Sequence, residues 1–340
     1  MTTLADGLTV RAAQPDDEPA ILRLLAETMA AGPTGEWTSA FWRWKHHDNP
    51  FGTSLMLVAE VNGELAGLRT FMRWRWVLRG RPVAAVRAVD TVTHPDFQGR
   101  GIFTTLTRTA LDEAAADTDL IFNTPNNNSL PGYLKMGWTP VGRVPIALRV
   151  IRPAAFLRGV RRVDGVAPMT PPPTATLPTA REVLADSAAV QSLLGCADRP
   201  TVRLRTDRDA RYLQWRYASA PGLGYRALPV RNGGELTGLA IGRPRWRGRL
   251  AEFTLTEVIV RAGDHRTARR LLRDVARCGA DHVATHLEGW STADQIRRAA
   301  GYLTIPRQGM TLVAKPLREG GVDRLDLSDW ALSLGDLEVF

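Results

Sequence analysis

The sequence predicts a mixed α and β protein built from two copies of one fold, and three observations carry that reading. Hydrophobic residues make up 44% of the 340-residue chain and charged residues 23%, which excludes a wholly disordered or fibrous protein. At roughly 150 residues per domain, the length allows two domains. The chain also repeats itself. Shifted by 171 positions, Phe41, Trp44, Lys45, Pro50, Gly63, Glu64, Leu65 and Gly67 meet Tyr212, Trp215, Arg216, Pro221, Gly234, Glu235, Leu236 and Gly238 without a gap. Further on, Gly132-Tyr133-Leu134 meets Gly301-Tyr302-Leu303 at an offset of 169. Residues 1–155 then form a first domain and residues 181–317 a second. Between them, residues 156–180 are a Pro-rich linker whose Pro171-Pro172-Pro173 cannot donate ladder or helix hydrogen bonds. Residues 318–340 form an acidic tail carrying Leu325, Leu327, Trp330, Leu332, Leu334 and Phe340, apolar enough to pack back on the body.

In the first copy Leu8–Ala12 reads as a short strand. Asp16 or Asp17 offers an N-cap to a helix whose Ile21, Leu24, Leu25 and Met29 recur at helical spacing. Ser39–Lys45 predicts a second short helix, ended near Asn49-Pro50. Leu55–Val61 and Glu64–Leu78 flank Asn62-Gly63, a type I′ hairpin signal. Val83–Thr93 is a further strand, rich in β-branched residues. A helix opens at Gln98-Gly99-Arg100-Gly101 and runs to about Ala116, with Ile102, Leu106, Ala110 and Leu111 on one face. Leu120–Thr124 is a short strand, Ser129–Met136 a short helix, and Trp138–Val150 the closing strands. This order has a central hairpin and no repeating βαβ, which argues against a dinucleotide fold.

Lys and Arg exceed Asp and Glu by 44 − 35 = 9, and the basic runs, such as Arg266, Arg269, Arg270 and Arg273, are mostly Arg. Such charge raises affinity for anions of any kind without choosing among them. Cys196 and Cys278 are too few for a disulfide framework. The N-terminus has neither a basic n-region nor an apolar h-region, and no apolar run approaches the ~18–20 residues of a membrane span, so a cytoplasmic location is expected. Cys278, His282 and His286 are spaced by four, but Gly279 should end the helix between them, and no metal is predicted. Arg73, Trp74, Arg75 and Trp76 alternate on a strand, most simply with Trp inward; Arg73 or Arg75 facing an anionic acyl group or acceptor is the alternative. Trp42, Trp44 and Trp215 read as core anchors, and His46 and His47 as surface or packing residues.

The stretch with chemistry in it is Thr91 to Leu106, where a strand ends, a glycine-bearing turn follows and a helix starts. Gly99 and Gly101 let the backbone approach a ligand closely. The free amides of residues 99–104 then converge where the helix dipole is positive, a ready pyrophosphate site to which Arg100 adds charge.

Gln98, Gly99, Arg100, Gly101 and Ile102 resemble motif A of the GNAT superfamily of acyl-CoA-dependent N-acyltransferases, written Gln/Arg-x-x-Gly-x-Gly/Ala. Asn126, Ser129, Tyr133, Gly137 and Trp138 resemble that family's Asn…Ala…Tyr-x-x-x-Gly-Phe segment. One departure is Phe103, where the family carries Gly or Ala; its amide remains, but its ring must point away from the phosphates. The resemblance implies two tandem GNAT folds, each a mostly antiparallel twisted sheet flanked by helices. It also implies acetyl-CoA or another acyl-CoA as co-substrate and a small-molecule or peptide amine as acceptor, with no nucleic acid, membrane or metal. By the same resemblance, Val92 and Thr93 would contact the pantetheine arm. Gln98, Gly99, Arg100, Gly101 and Phe103 would hold the pyrophosphate, and Asn126 and Ser129 would touch CoA. Tyr133 matches the acid that protonates the departing thiolate, a step that eases C–S cleavage. The proton of the attacking amine goes to Asp90, to His94, to a water chain, or to the C-terminal carboxylate of Phe340; these alternatives stay open. Asp90 can equally be a strand-end carboxylate paired with Arg87 or another Arg.

In the second copy the corresponding stretch is Val260 to Ala268, which keeps Gly263 but loses the glycine spacing and puts Asp264 where phosphate would sit. A degenerate copy that buttresses the first and helps wall its acceptor cleft is expected. Two other functions compete with acyl transfer. One is a FemAB-like aminoacyl transferase using charged tRNA, which the basic charge would suit. The other is a non-catalytic acyl-CoA sensor or scaffold, which needs no Tyr133.

Overall fold

The computed structural model describes residues 2–3, 7–29, 36–160, 172, 177–289, 291–318, 322 and 325–337. Most of the expected linker, and the chain end at Phe340, lie outside these residues. The chain forms two compact units, neither of them one consecutive length: unit 1 is Met1–Arg143 with Met310–Ser328, and unit 2 is Val144–Gly309 with Asp329–Val339.

Unit 1 carries, in chain order, β1 (Thr2–Thr3), β2 (Leu8–Ala12), α1 (Glu18–Thr28), α2 (Ser39–His46), β3 (Leu55–Val61), β4 (Glu64–Leu78), β5 (Arg81–Thr93), α3 (Ile102–Ala114), β6 (Leu120–Asn123), α4 (Leu130–Lys135) and the start of β7 (Thr139–Val150). Strands β1 to β5 pair antiparallel in sequence, and β6 adds parallel to β5. The hairpin between β3 and β4 turns on Asn62 and Gly63, both at positive φ (53° and 86°), as a type I′ turn demands. Helix α2 starts because Thr38 caps it, accepting from the Phe41 amide, and it buries Phe41, Trp42 and Trp44. Helix α3 lays Ile102, Leu106, Ala110 and Ala114 on Leu57, Ala59, Phe71, Val86 and Ile121, each large side chain contributing about 1.5–3 kcal/mol. Trp74 and Trp76 turn inward onto Phe122, while Arg73 turns out to Asp117.

Between β4 and β5 the register shifts: Leu68 faces Val92 but Thr70 faces Val89. Arg69 therefore stands opposite both Asp90 and Thr91, a β-bulge that opens the sheet there. Asp90 takes φ of 44°, a left-handed conformation that non-glycine residues adopt at a cost of ~1 kcal/mol or more.

Unit 2 receives the end of β7 and continues with α5 (Pro153–Val160), α6 (Ala180–Leu184), α7 (Ser187–Cys196), β8 (Leu204–Thr206), α8 (Ala210–Leu213), β9 (Arg226–Asn232), β10 (Glu235–Arg247), β11 (Leu250–Val260), α9 (His265–Asp274), β12 (His282–Thr285), α10 (Thr292–Ile296), the start of β13 (Leu303–Pro316), β14 (Trp330–Ala331) and α11 (Leu334–Leu337). Strands β9, β10 and β11 form an antiparallel meander with its own bulge at Ile241/Gly242, and β12 is parallel to β11. Two strands change unit along their length. Ala147–Val150 of β7 pair antiparallel with β12, and Val313–Pro316 of β13 pair antiparallel with β6. The stretch expected to hold several closing strands is the single long strand β7.

Candidate active site

The turn from β5 into α3 is shaped residue by residue. His94 caps the Pro95–Phe97 turn, its Nδ1 accepting from the Asp96 amide at 3.3 Å, and its ring rests near Phe97. Gly99 and Gly101 follow at φ of 78° and 75°, where a side chain would be strained. A Cβ at either would meet nothing within 4 Å, so this face of the turn is open. The first helical bond that Gly101 accepts comes from Thr105; the amides of residues 99–104 have no partner among the described residues. They converge at the N-terminus of α3, where the helix dipole adds positive potential.

Above this turn lies a cleft of about 930 Å³. Of the residues singled out in the sequence it brings together Asp90, Val92, Thr93, Gln98, Gly99, Gly101, Phe103, Asn126 and Ser129, with Thr28, Met29, Trp37 and Phe97 on its walls. Asn126 pre-shapes the entry to α4, its Oδ1 accepting from the Asn128 and Ser129 amides at 3.1 and 2.9 Å. Arg100 is not on the wall; its guanidinium lies 5.3 Å over the Phe97 ring. Tyr133 is not on the wall either: it is 4% exposed and packs in the core against Trp138 and Phe103. The Phe103 ring stands edge-on to Tyr133 of α4. Room for it exists because residue 132 is glycine, where a Cβ would stand 3.1 Å from Phe103 Cε1.

Asp90 is 8% exposed and paired, but with neither Arg87 nor another arginine. Lys45 Nζ reaches its Oδ1 at 2.9 Å and its Oδ2 at 2.7 Å, and His46 Nε2 lies 2.9 Å from Oδ2. Arg87 instead donates to Thr124 and covers the Phe122 ring. Burial would raise the Asp90 carboxyl, yet the Lys45 ammonium and the His46 bond overcome it and hold it below the usual carboxylate range. Burial lowers His46, so the ring is neutral, donating through Nε2–H to Asp90 and meeting Ser54 Oγ at Nδ1 (2.9 Å). The expected packing role for His46 gains a polar part. Its ring does pack on Trp42, but its nitrogens serve the carboxylate; His47 stays exposed.

Sequence reasoning also passed over Arg69. Its side chain is fully buried on β4. Nη1 donates to Thr91 Oγ1 at 2.7 Å and to Tyr133 Oη at 2.9 Å, while Nε and Nη2 have no partner. The rings of Phe71, Tyr133 and Phe103 surround the guanidinium at 4.8, 5.3 and 5.6 Å.

At the matching corner of unit 2, Asp264 caps α9, its Oδ1 accepting from the Thr267 amide at 3.0 Å, and the Gly263 amide donates to Thr292 Oγ1. Those amides are spent within the protein. Cys278, His282 and His286 go separate ways: His282 Nε2 meets Glu252, and His286 Nδ1 meets the Pro145 carbonyl. No three metal-ligating side chains cluster among the described residues, and no helix among them is long and apolar enough to cross a membrane.

Unit 1 thus combines an antiparallel sheet, a parallel addition at β6, a bulge between β4 and β5, and a helix whose N-terminal amides have no partner among the described residues. Residues 9–141 match the family model described as an acetyltransferase (GNAT) domain. The whole chain has the fold of several solved proteins. It is similar to a GCN5-related N-acetyltransferase from Anabaena variabilis (12% identity, TM-score 0.64, covering 94% of this chain and 75% of that one). It is similar to a GCN5-related N-acetyltransferase from Kribbella flavida (15%, 0.60, 94% and 73%). It is also similar to the Saccharomyces cerevisiae N-myristoyltransferase solved with bound myristoylCoA (12%, 0.60, 97% and 90%). No curated protein sequence matches the chain.

Proposed function

We propose that unit 1 is an acyl-CoA-dependent N-acyltransferase that moves an acetyl or other short acyl group to a primary amine by direct attack. One observation carries the proposal: the partnerless amides of residues 99–104 at the head of α3, on the floor of a cleft large enough for a pantetheine arm. Such a nest binds diphosphate without needing a cationic side chain, which suits the position of Arg100 off the wall. Val92 and Thr93 would run beside the pantetheine, Gln98, Gly99, Gly101 and Phe103 beside the diphosphate, and Asn126 and Ser129 beside the other wall of the arm.

Tyr133 is assigned the proton for the departing sulfur. Asp90 is assigned to the amine, with a role set by its environment. A carboxylate held low by Lys45 and His46 has weak proton affinity. It therefore accepts a hydrogen bond from the incoming amine and orients it, and the proton leaves through water. Unit 2 is assigned no catalysis, because Asp264 and Thr292 occupy the amides that a diphosphate would need.

The test is acetyl-CoA binding by calorimetry, followed by thiol release across a panel of amines. Micromolar binding with amine-dependent thiol release supports the proposal. Binding without release under any amine supports a sensor, and binding of charged tRNA in preference to acyl-CoA supports aminoacyl transfer.

A further inference from the structure

We infer that Arg69 is a positioning residue for this chemistry: it fixes the phenol oxygen of Tyr133 and supplies the positive charge that a leaving thiolate and the resulting phenolate require. The inference rests on the acyl-transfer reading above and adds to it a residue that neither motif contains.

The starting point is a cost. A guanidinium stays charged under all ordinary conditions, and burying it without a carboxylate is unfavourable. Arg69 is fully buried, yet no carboxylate pairs with it among the described residues, and Nε and Nη2 are left without acceptors. Cation–π contact with three rings offsets only part of this. A side chain kept for packing alone would serve better as methionine or leucine. The charge therefore has a use that the resting protein does not show.

Position indicates the use. Thr91 and Phe103, which both touch or flank the guanidinium, line the cleft, so Arg69 stands one side chain behind its wall. Its Nη1–H donates to Tyr133 Oη at 2.9 Å. Arg69 has no acceptor to return the bond, so the phenol proton is uncommitted in the resting protein; because Tyr133 stands behind the wall, sulfur reaches it only by passing the Phe103 ring that packs against it. In the reaction the amine nitrogen attacks the thioester carbonyl and the C–S bond breaks, its electron pair passing to sulfur. Sulfur takes the Tyr133 proton, and the phenolate is left hydrogen-bonded to Arg69. The proton released by the nitrogen restores the phenol through water. The sum is thioester plus amine giving amide plus thiol, with no change of oxidation state. A fixed cation beside the one oxygen that becomes negative is worth most in a dry site, where nothing must reorganise to meet the charge.

The experiment compares wild type with Arg69→Met, Arg69→Lys and Tyr133→Phe in the full chain. Arg69→Met should lower kcat roughly 10- to 100-fold with KM for acetyl-CoA within about twofold. It should leave the thermal midpoint unchanged or raise it by about 2 °C or more, since an unpaired buried charge is gone. Arg69→Lys should recover much of kcat. A second readout needs no turnover: wild type should bind CoA more tightly than desulfo-CoA, and both Arg69→Met and Tyr133→Phe should abolish that preference for sulfur. The inference is overturned if Arg69→Met keeps wild-type kcat and the sulfur preference. A lower midpoint with CoA and desulfo-CoA weakened alike also overturns it, as a purely structural role. Loss of succinyl-CoA turnover with acetyl-CoA turnover intact overturns it in favour of a carboxylate receptor for the acyl group. If wild type binds CoA but transfers nothing, the acyl-transfer reading fails, and the sulfur preference still decides the role of Arg69.

Discussion

Asp90 keeps its charge inside the fold because two consecutive residues of α2 reach it together. Lys45 and His46 are both essentially without solvent exposure, and removing Lys45 takes away the only countercharge that the described contacts give the buried carboxylate. Lys45→Met should destabilise unit 1 by about 3–5 kcal/mol, and the double change with Asp90→Asn by much less; urea melts of the three variants check this. The acid limb follows from the signs. Asp90 is held below its unfolded value, so its contribution is complete above about pH 4 and is lost as pH falls through the folded value. His46 is also lowered, so stability falls further below about pH 6.5, where the unfolded ring charges and the buried one resists. Asp90→Asn should flatten the lower part of that curve. Asp90 was legible as a strand-end acid, but its partners were not, because they lie 44 and 45 residues away. A trace was present: Lys45 falls one turn after Phe41 and His46 one turn after Trp42, beside the buried aromatic residues of the helix. A lysine on a buried helix face is a signal that a carboxylate waits across the core.

On the scale of elements, the junction of β4, β5 and α3 depends on two kinds of glycine. Gly67 is small so that α3 can approach the sheet: a Cβ there would stand 2.8 Å from Ile102 Cγ2 and 3.1 Å from Leu106 Cδ1. Gly67→Ala should cost about 1–3 kcal/mol through overpacking, read as a lower thermal midpoint. Gly101 is different, since it has space but holds φ of 75°. Gly101→Ala should cost only ~1 kcal/mol in stability. It should weaken acetyl-CoA binding roughly tenfold, a loss of about 1.4 kcal/mol, by turning the amides off their common focus; calorimetry separates the two effects. The strands and helices of this region were readable from periodicity and from Asn62-Gly63 almost to the residue. The bulge at Arg69 was not, because it breaks the alternation that made the rest readable. The fit of Phe103 was also hidden, since Gly132 lies 29 positions away and shows its purpose only beside the ring.

The two units answer pH differently. In unit 2 Arg208 is ringed by Asp336, Glu257 and Glu288, and burial, only partly opposed by Arg208, raises Glu288 to about 7. The folded chain thus holds a proton that the unfolded chain has released above about pH 4.5. Stability from this group is greatest below that pH and is lost as pH climbs through 7, by up to ~3 kcal/mol. Glu288→Gln should remove the slope, measured as urea midpoints at pH 5 and pH 8. The excess positive charge also has an address: Arg266, Arg269, Arg270, Arg273 and Arg277 are all exposed along and just beyond α9. The repeat offset was plain in the sequence. That the compact units exchange strands was not, because an offset records which residues correspond and nothing about which sheet each one joins. The exchange carries a practical consequence. Val313 belongs to the apolar core of unit 1, and the segment around it covers the outer edge of β6. A fragment ending at residue 155 would present that edge bare, and should precipitate or bind its own copies. A synthetic peptide spanning residues 303–318, supplied in trans, is what should make such a fragment soluble.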